Sequence, residues 1–280
     1  MRGGVAVEIL VHVALLAAVV VALYPILWVV SLALSPGDAP EARVIPVPSQ
    51  WSLENFVEVG GRTDDDGTWL FGIQLFNSLF ISLLTAVVAI AIATPAAYAM
   101  SRFDFAGKTG ATRAVLATQM FPGVAAAIPL YLMMNFLGLI DTRTGLILVY
   151  ATTAVPFAIF QLRGAFDGIP LDLEEAAMVD GASRFGAFVR VVLPAARPAL
   201  AVTVLFAFMT AWNEFILAAT FMNEESLFTL PVVLQRYVGE YESRWGAFAA
   251  GAILVSMPVM ALFYWLQRHL VGGLAGAVKG

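Results

Sequence analysis

Apolar residues run through this chain in long blocks, and the polar residues collect between them. A helix that crosses a bilayer needs roughly 20 consecutive apolar residues. Blocks at about 9–34, 73–101, 114–139, 144–163, 198–222 and 245–267 reach or approach that length. The first follows Arg2 and precedes small residues, as a secretion signal would. Its apolar run exceeds the about 7–15 residues of a signal core, so it reads as an uncleaved first helix. The pattern predicts an all-α membrane protein, one transmembrane domain over 1–280 with six transmembrane helices. Neither an internal repeat nor a low-complexity tract is visible.

Polar segments at 35–71, 167–197 and 223–244 are long enough to have structure of their own. The middle one contains EEAAMVDGASRFGAFVRVVL at 174–193. Pro170 opens a break, and Asp172 with Glu175 three residues on has capping-box spacing, which predicts a short helix from Leu173 to Asp180. Gly181 fits the left-handed position just past a helix end. Ser183 suits the cap of a second helix running to about Leu193, which Pro194 and Pro198 then end. The expected unit is helix, glycine turn, helix, with small residues (Ala176, Ala177) and charges (Glu175, Asp180, Arg184) to offer a partner. The residues alone also fit an ordinary capped loop. A DNA-binding helix-turn-helix fits poorly, because the segment has little basic charge for phosphates.

Lys and Arg orient the spans. With the N-terminus inside, ten of the fifteen (Arg2, Arg102, Lys108, Arg113, Arg163, Arg184, Arg190, Arg197, Arg268, Lys279) fall on the inner side. Arg43, Arg62, Arg143, Arg236 and Arg244 fall outside, among acids such as Asp38, Glu41, Glu54, Glu58, Asp64, Asp65, Asp66, Asp141, Glu224, Glu225, Glu240 and Glu242. Both termini and the 167–197 segment are therefore expected in the cytoplasm.

Composition agrees: 60% hydrophobic, 12% charged, mean hydropathy +0.86, against about 25% charged in soluble domains. No basic run suggests nucleic acid. With no cysteine and two distant histidines, His12 and His269, sulfur and histidine metal sites are not expected.

Few residues within the spans carry chemistry. Glu214, in WNEF at 212–215, is a carboxylate inside the fifth span, which should face a cavity or a partner. A snorkelling acid at the membrane interface is the alternative. Glu214, Asn213, Asn77 and Gln119 are candidates for a polar solute path; with Asn135, they equally suit interhelical hydrogen bonds. Gly107–Thr109 imitates the end of a phosphate-binding loop, but Arg102 stands where its first glycine belongs. Gly181–Ser183 begins like a nucleophile elbow, but Phe185 replaces the closing glycine. Asp64–Asp66 reads as an acidic turn rather than a cation site.

The stretch Glu175 to Pro194 resembles the EAA loop of ABC importer permease subunits. Glu175, Ala176, Ala177, Asp180, Gly181, Ala182, Phe188, Leu193 and Pro194 match that pattern in order. The end of the chain, Trp245 to Gly280 with its closing GGLAGAVKG, is similar to the second permease subunit of maltose and maltodextrin importers. The resemblance implies a type I ABC importer permease fold and a transport subunit with no catalytic residues and no cofactor of its own. ATP and magnesium would be bound by a partner ATPase dimer. The other implied partners are a second permease subunit, an extracytoplasmic sugar-binding protein and membrane lipid, in a bacterial-type cytoplasmic membrane. Glu175, Ala176, Ala177, Asp180, Gly181, Ala182, Arg184, Phe188 and Pro194 would form the ATPase-coupling surface. The tail, Gly273 with Val278, Lys279 and Gly280, would reach toward the ATPase. The expected cargo is a maltose- or maltodextrin-type sugar, with trehalose or another glycoside as the alternative. An ion-driven secondary transporter is the less favoured alternative: it would need ionisable groups at mid-membrane, and only Glu214 is a candidate. An intramembrane enzyme would need paired catalytic groups within the spans, and none are present.

Overall fold

The computed structural model describes residues 5–37, 44–121, 123–239 and 243–277. Arg2, Asp38, Glu41, Arg43, Glu240, Glu242, Val278, Lys279 and Gly280 lie outside the described residues. The helices are α1 (Val5–Ala33), α2 (Glu54–Gly60), α3 (Leu70–Arg102), α4 (Lys108–Met120), α5 (Gly123–Phe136), α6 (Arg143–Asp167), α7 (Leu171–Val179), α8 (Arg184–Ala187), α9 (Leu193–Ala195), α10 (Arg197–Trp212), α11 (Ile216–Phe221), α12 (Leu230–Gln235) and α13 (Trp245–Ala277). Among the described residues, four helices, α1, α3, α6 and α13, are long and apolar enough to cross a membrane, and up to six spans result if two bent pairs count as one span each.

The third and fifth spans, expected straight, are both broken; the first break is one of these bent pairs, while the other pair, Arg184–Ala195 with Arg197–Trp212, turns just before the fifth block. The block at 114–139 is α4 and α5, joined at 102°. The block at 198–222 divides into α10 and α11, with Asn213 to Phe215 between them. A hydropathy sum over 20 residues is blind to such breaks, because apolar content does not change where the axis turns. The Glu214 carboxylate makes the second break tenable. Its two oxygens accept from the N–H groups of Leu217 (2.9 Å) and Ala218 (3.1 Å). Those are donors that a helix start leaves without partners.

The chain divides into two units. One comprises Met1–Gly72 and Val233–Pro258. Here Asn55 on α2 donates from Nδ2 to the carbonyls of Ala33 (3.2 Å) and Ser35 (2.9 Å), closing the end of α1. Small residues let backbones approach: Ala33, Ala249 and Ala250 are fully buried together. Arg244 is paired with Glu58. Asp64 turns its carboxylate onto its own loop, accepting from the N–H of Asp66 (3.0 Å) and of Thr68 (2.7 Å). The acidic triplet is thus a turn, closed by Gly67 at φ +81.

The other unit comprises Ile73–Val232 and Val259–Gly280. Its centre is α6, buried along one side from Gly145 to Phe166. The α6 and α10 helices meet through Phe157 stacked on Phe206, ring centroids 3.7 Å apart. At one end, polar side chains of α3 satisfy a loop. Gln74 donates to the Glu225 carbonyl, Asn77 donates to those of Ser226 and Phe228, and Ser78 accepts from the Leu230 N–H. Irregular backbone beside a membrane needs such partners.

The turn between α5 and α6 is held to the α11 end by Asp141 (φ 56), whose carboxylate accepts from the Asn223 N–H (2.6 Å) and side-chain amide (2.8 Å). Burial raises this carboxyl, but the Asn223 and Glu224 donors outweigh it and hold it below the ordinary 3.8. A depressed folded value adds stability that is fully present above the ordinary value and lost as pH falls through the folded one. Asp141→Asn is accordingly expected to be less stable than the parent at neutral pH and to lose part of the acid dependence below pH 3.8. Unfolding midpoints in detergent across that range measure both.

Candidate functional site

The segment from Ile169 to Ala196 folds as a knob of two short helices. Its first helix starts at Leu171, with Pro170 at the cap position and no side-chain cap. The expected capping box is therefore absent. Asp172 and Glu174 lie inside the first turn, where the helix dipole favours acids without a cap bond. The end of α7 follows the sequence expectation closely. The Gly181 N–H donates to the Met178 carbonyl and the Ala182 N–H to that of Ala177, the paired bonds of a Schellman ending, with Gly181 at φ +91. Ser183 caps α8, its Oγ accepting from the Gly186 N–H at 3.1 Å.

Pro194 does not end the second helix. Phe188–Val192 widens into a π turn before it. That turn shifts the carbonyls with which the proline ring would collide and which its missing N–H would leave unbonded. The chain then bends by 76° at Ala196, between α9 and α10.

The knob has an outer and an inner side. Glu175, Ala176, Asp180, Gly181 and Arg184 are exposed, together with apolar Val179 (88%) and Phe185 (75%). Ala177 and Ala182 are half-buried. Phe188 faces inward: it is buried, with its ring 4.2 Å from that of Tyr98. Pro194 is half-buried and Arg184 stacks over Phe103 at 5.1 Å.

Sequence reasoning missed the residue that seats the knob. Glu174, not Glu175, is buried. Its carboxylate accepts from the Tyr98 hydroxyl (2.8 Å) and pairs with the Arg102 guanidinium, both on α3. Arg102 also donates to the Ile169 carbonyl at 2.8 Å. Adjacent helical residues point about 100° apart, so of two neighbouring acids one faces in and the other out. The signal was an acidic pair in the sequence together with an Arg closing the second span.

The candidate path residues do not come together. Gln119 is exposed and lines a cavity of about 560 Å³ with Thr118, Thr152, Thr153, Pro129 and Leu217. Asn77 is fully buried, and its amide is engaged by the 226–228 loop and by Arg143. Asn213 is exposed and donates to the Met209 carbonyl. Glu214 caps α11. The structure describes the backbone at Gly273, within α13.

Residues 89–275, which include the knob and the cavity, match the family described as binding-protein-dependent transport system inner membrane component. The chain belongs to that family. It is an ABC importer permease subunit, a transport component and not an enzyme. This permease is 38% identical over 262 residues to the trehalose transport system permease protein SugB of Mycobacterium tuberculosis, covering 92% of this chain and 93% of that protein. It is 34% identical over 282 residues to the maltose/maltodextrin transport system permease protein MalG of Yersinia pestis, covering 96% and 92%. A solved bacterial ABC transporter involved in the import of the acidic polysaccharide alginate shares 26% identity and a TM-score of 0.77 over 96% of this chain and 98% of that one. The fold is therefore that of the type I ABC importer permeases, and the protein is an integral membrane sugar permease. Relatives named for different sugars fix the class of cargo and not the sugar.

Proposed function

We propose that this permease forms half of a pathway for maltose- or maltodextrin-type sugars across a bacterial-type cytoplasmic membrane. Its termini and the knob face the cytoplasm. A second permease subunit completes the pathway, an ATPase dimer binds ATP and magnesium, and an extracytoplasmic binding protein delivers the sugar. The observation that carries this reading is the outer side of the knob. A short helix closed at its C-terminal end by a glycine turn, and the capped helix that follows it, present Glu175, Ala176, Val179, Asp180 and Phe185 to something other than their own chain. An ATPase cleft with a basic residue for Glu175 would bury the exposed apolar side chains and pair the acid. The tail from Gly273 through Val278, Lys279 and Gly280 is assigned to the same partner.

The inner, cavity-lining residues suit a sugar. Gln119, Thr118, Thr152 and Thr153 offer hydroxyl and amide partners between apolar walls. Trehalose is the second reading, favoured by the 38% identity to a permease named for it. In either case the permease works by rigid-body change between packed states, driven by ATPase closure on the knob.

The test is reconstitution in lipid with the partner permease, ATPase and binding protein. Glu175→Lys is expected to lower sugar-stimulated ATP hydrolysis on the order of tenfold or more. Stimulation equal to that of the parent would sink the assignment of the knob. Uptake of labelled maltotriose against labelled trehalose in the same vesicles decides the cargo.

A further inference from the structure

A push on the knob reaches α6 and α10 through the chain itself, since the knob lies between them in sequence. The α3 helix has no such covalent link, yet the knob holds it. The two oxygens of Glu174 engage two α3 side chains, Tyr98 and Arg102, one turn apart. The guanidinium continues to the Ile169 carbonyl, in the linker between α6 and α7. Ser101, also on α3, donates to Asp167 at the end of α6 (2.5 Å). Both charged side chains are nearly closed to solvent, at 7% for Arg102 and 6% for Glu174. Below them, Tyr98, Phe166, Phe188, Leu162 and Ala97 form one buried core.

A buried ion pair is weak evidence for stability, because packed apolar residues often hold as well. What the pair supplies is geometry. Two oxygens bound to two donors fix the rotation of α7 about its axis, and a planar guanidinium shared with a carbonyl fixes its distance from α3. We propose that Glu174 and Arg102 are positioning residues for transport, locking α7 to the end of α3 so that the ATPase moves α3, α6 and α10 as one body. This rests on the assignment of the knob as the ATPase contact.

The chain has no cysteine, so spin labels can be placed without background at Leu171→Cys on α7 and Val87→Cys on α3, both exposed and neither among the residues offered to the ATPase. The full complex with its ATPase, partner permease and binding protein is used in lipid. In the otherwise unaltered chain the distance between the labels is expected to be the same with and without ATP. In the double variant Arg102→Met/Glu174→Leu, which leaves no unpaired charge, the distance distribution should broaden and shift with ATP. ATP hydrolysed per sugar imported should rise on the order of tenfold. Arg102→Lys, which keeps the charge and loses the fork, should fall between the two. A distance that moves with ATP in the parent overturns the proposal. So does a double variant that couples like the parent, which is what a merely structural pair predicts. If the double variant couples normally while Glu175→Lys does not, the clamp fails and the knob assignment stands. If Glu175→Lys has no effect on stimulation, the knob assignment fails, and the label distances still report whether α7 and α3 move together.

Discussion

Replacing Arg102 alone by Met is expected to destabilise the permease by about 3–5 kcal/mol. The substitution removes little volume and leaves the Glu174 carboxylate buried with only the Tyr98 hydroxyl as a donor. A buried charge without its counter-charge bears the full desolvation cost, which an apolar replacement does not offset. The Ile169 carbonyl loses its donor as well. Adding Glu174→Leu should recover most of the loss, because the damage lies in the unpaired charge and not in the missing pair. Thermal unfolding midpoints in detergent for the two singles and the double measure this as a cycle. A single-variant loss below about 1 kcal/mol would show a pair behaving as an exposed one, contrary to the burial seen here.

Gly145→Ala is expected to cost about 1–3 kcal/mol, the range for forcing atoms into a packed site. Gly145 is buried in the first turn of α6. A methyl group there would overlap the carbonyl oxygen of Leu139 and stand 3.1 Å from Thr142 Oγ1. The obstacle is backbone, so no side chain can swing aside. Thr142 is the cap of α6, accepting from the Gly145 N–H at 3.0 Å and donating to the Leu139 carbonyl at 2.8 Å. Any shift that relieves the overlap strains the cap. Gly164→Ala in the same helix is the control: its added methyl meets nothing within 4 Å, and alanine is the better helix former by about 1 kcal/mol. A midpoint unchanged in Gly145→Ala and lowered in Gly164→Ala would refute this account of the α6 start.

The spans were legible where a single physical quantity decides them. Apolar length marks α1, α3, α6 and α13 because the bilayer demands it. The breaks within the third and fifth spans were not legible, because they depend on where helix ends find partners. Glu214 shows this. The sequence offered it as a solute ligand or an interface acid, and the structure spends both oxygens on the start of α11. Gly181 and Ser183 were read correctly because their bonds close within five residues. Asp172 was misread because a helix with Pro170 before it had already begun. Glu174 could not be told from Glu175 by local reasoning, since its partners lie 72 and 76 residues away. Asn77 carries the same lesson: its amide is taken by a loop about 150 residues on.

The most apolar 18-residue stretch of α1 has no buried residue, and the family match begins only at residue 89. For most of its length this helix answers to lipid solubility rather than to any shaped neighbour within its own chain. Its positions are then interchangeable among Leu, Val, Ile and Ala, and descent should erase their identities while keeping their hydropathy. The exceptions are its last residues, where Ser31 and Ala33 are buried and Asn55 closes the end. Aligned relatives should therefore agree poorly through α1 and begin to agree at its final turn, a boundary in evolutionary rate drawn by solvent rather than by function.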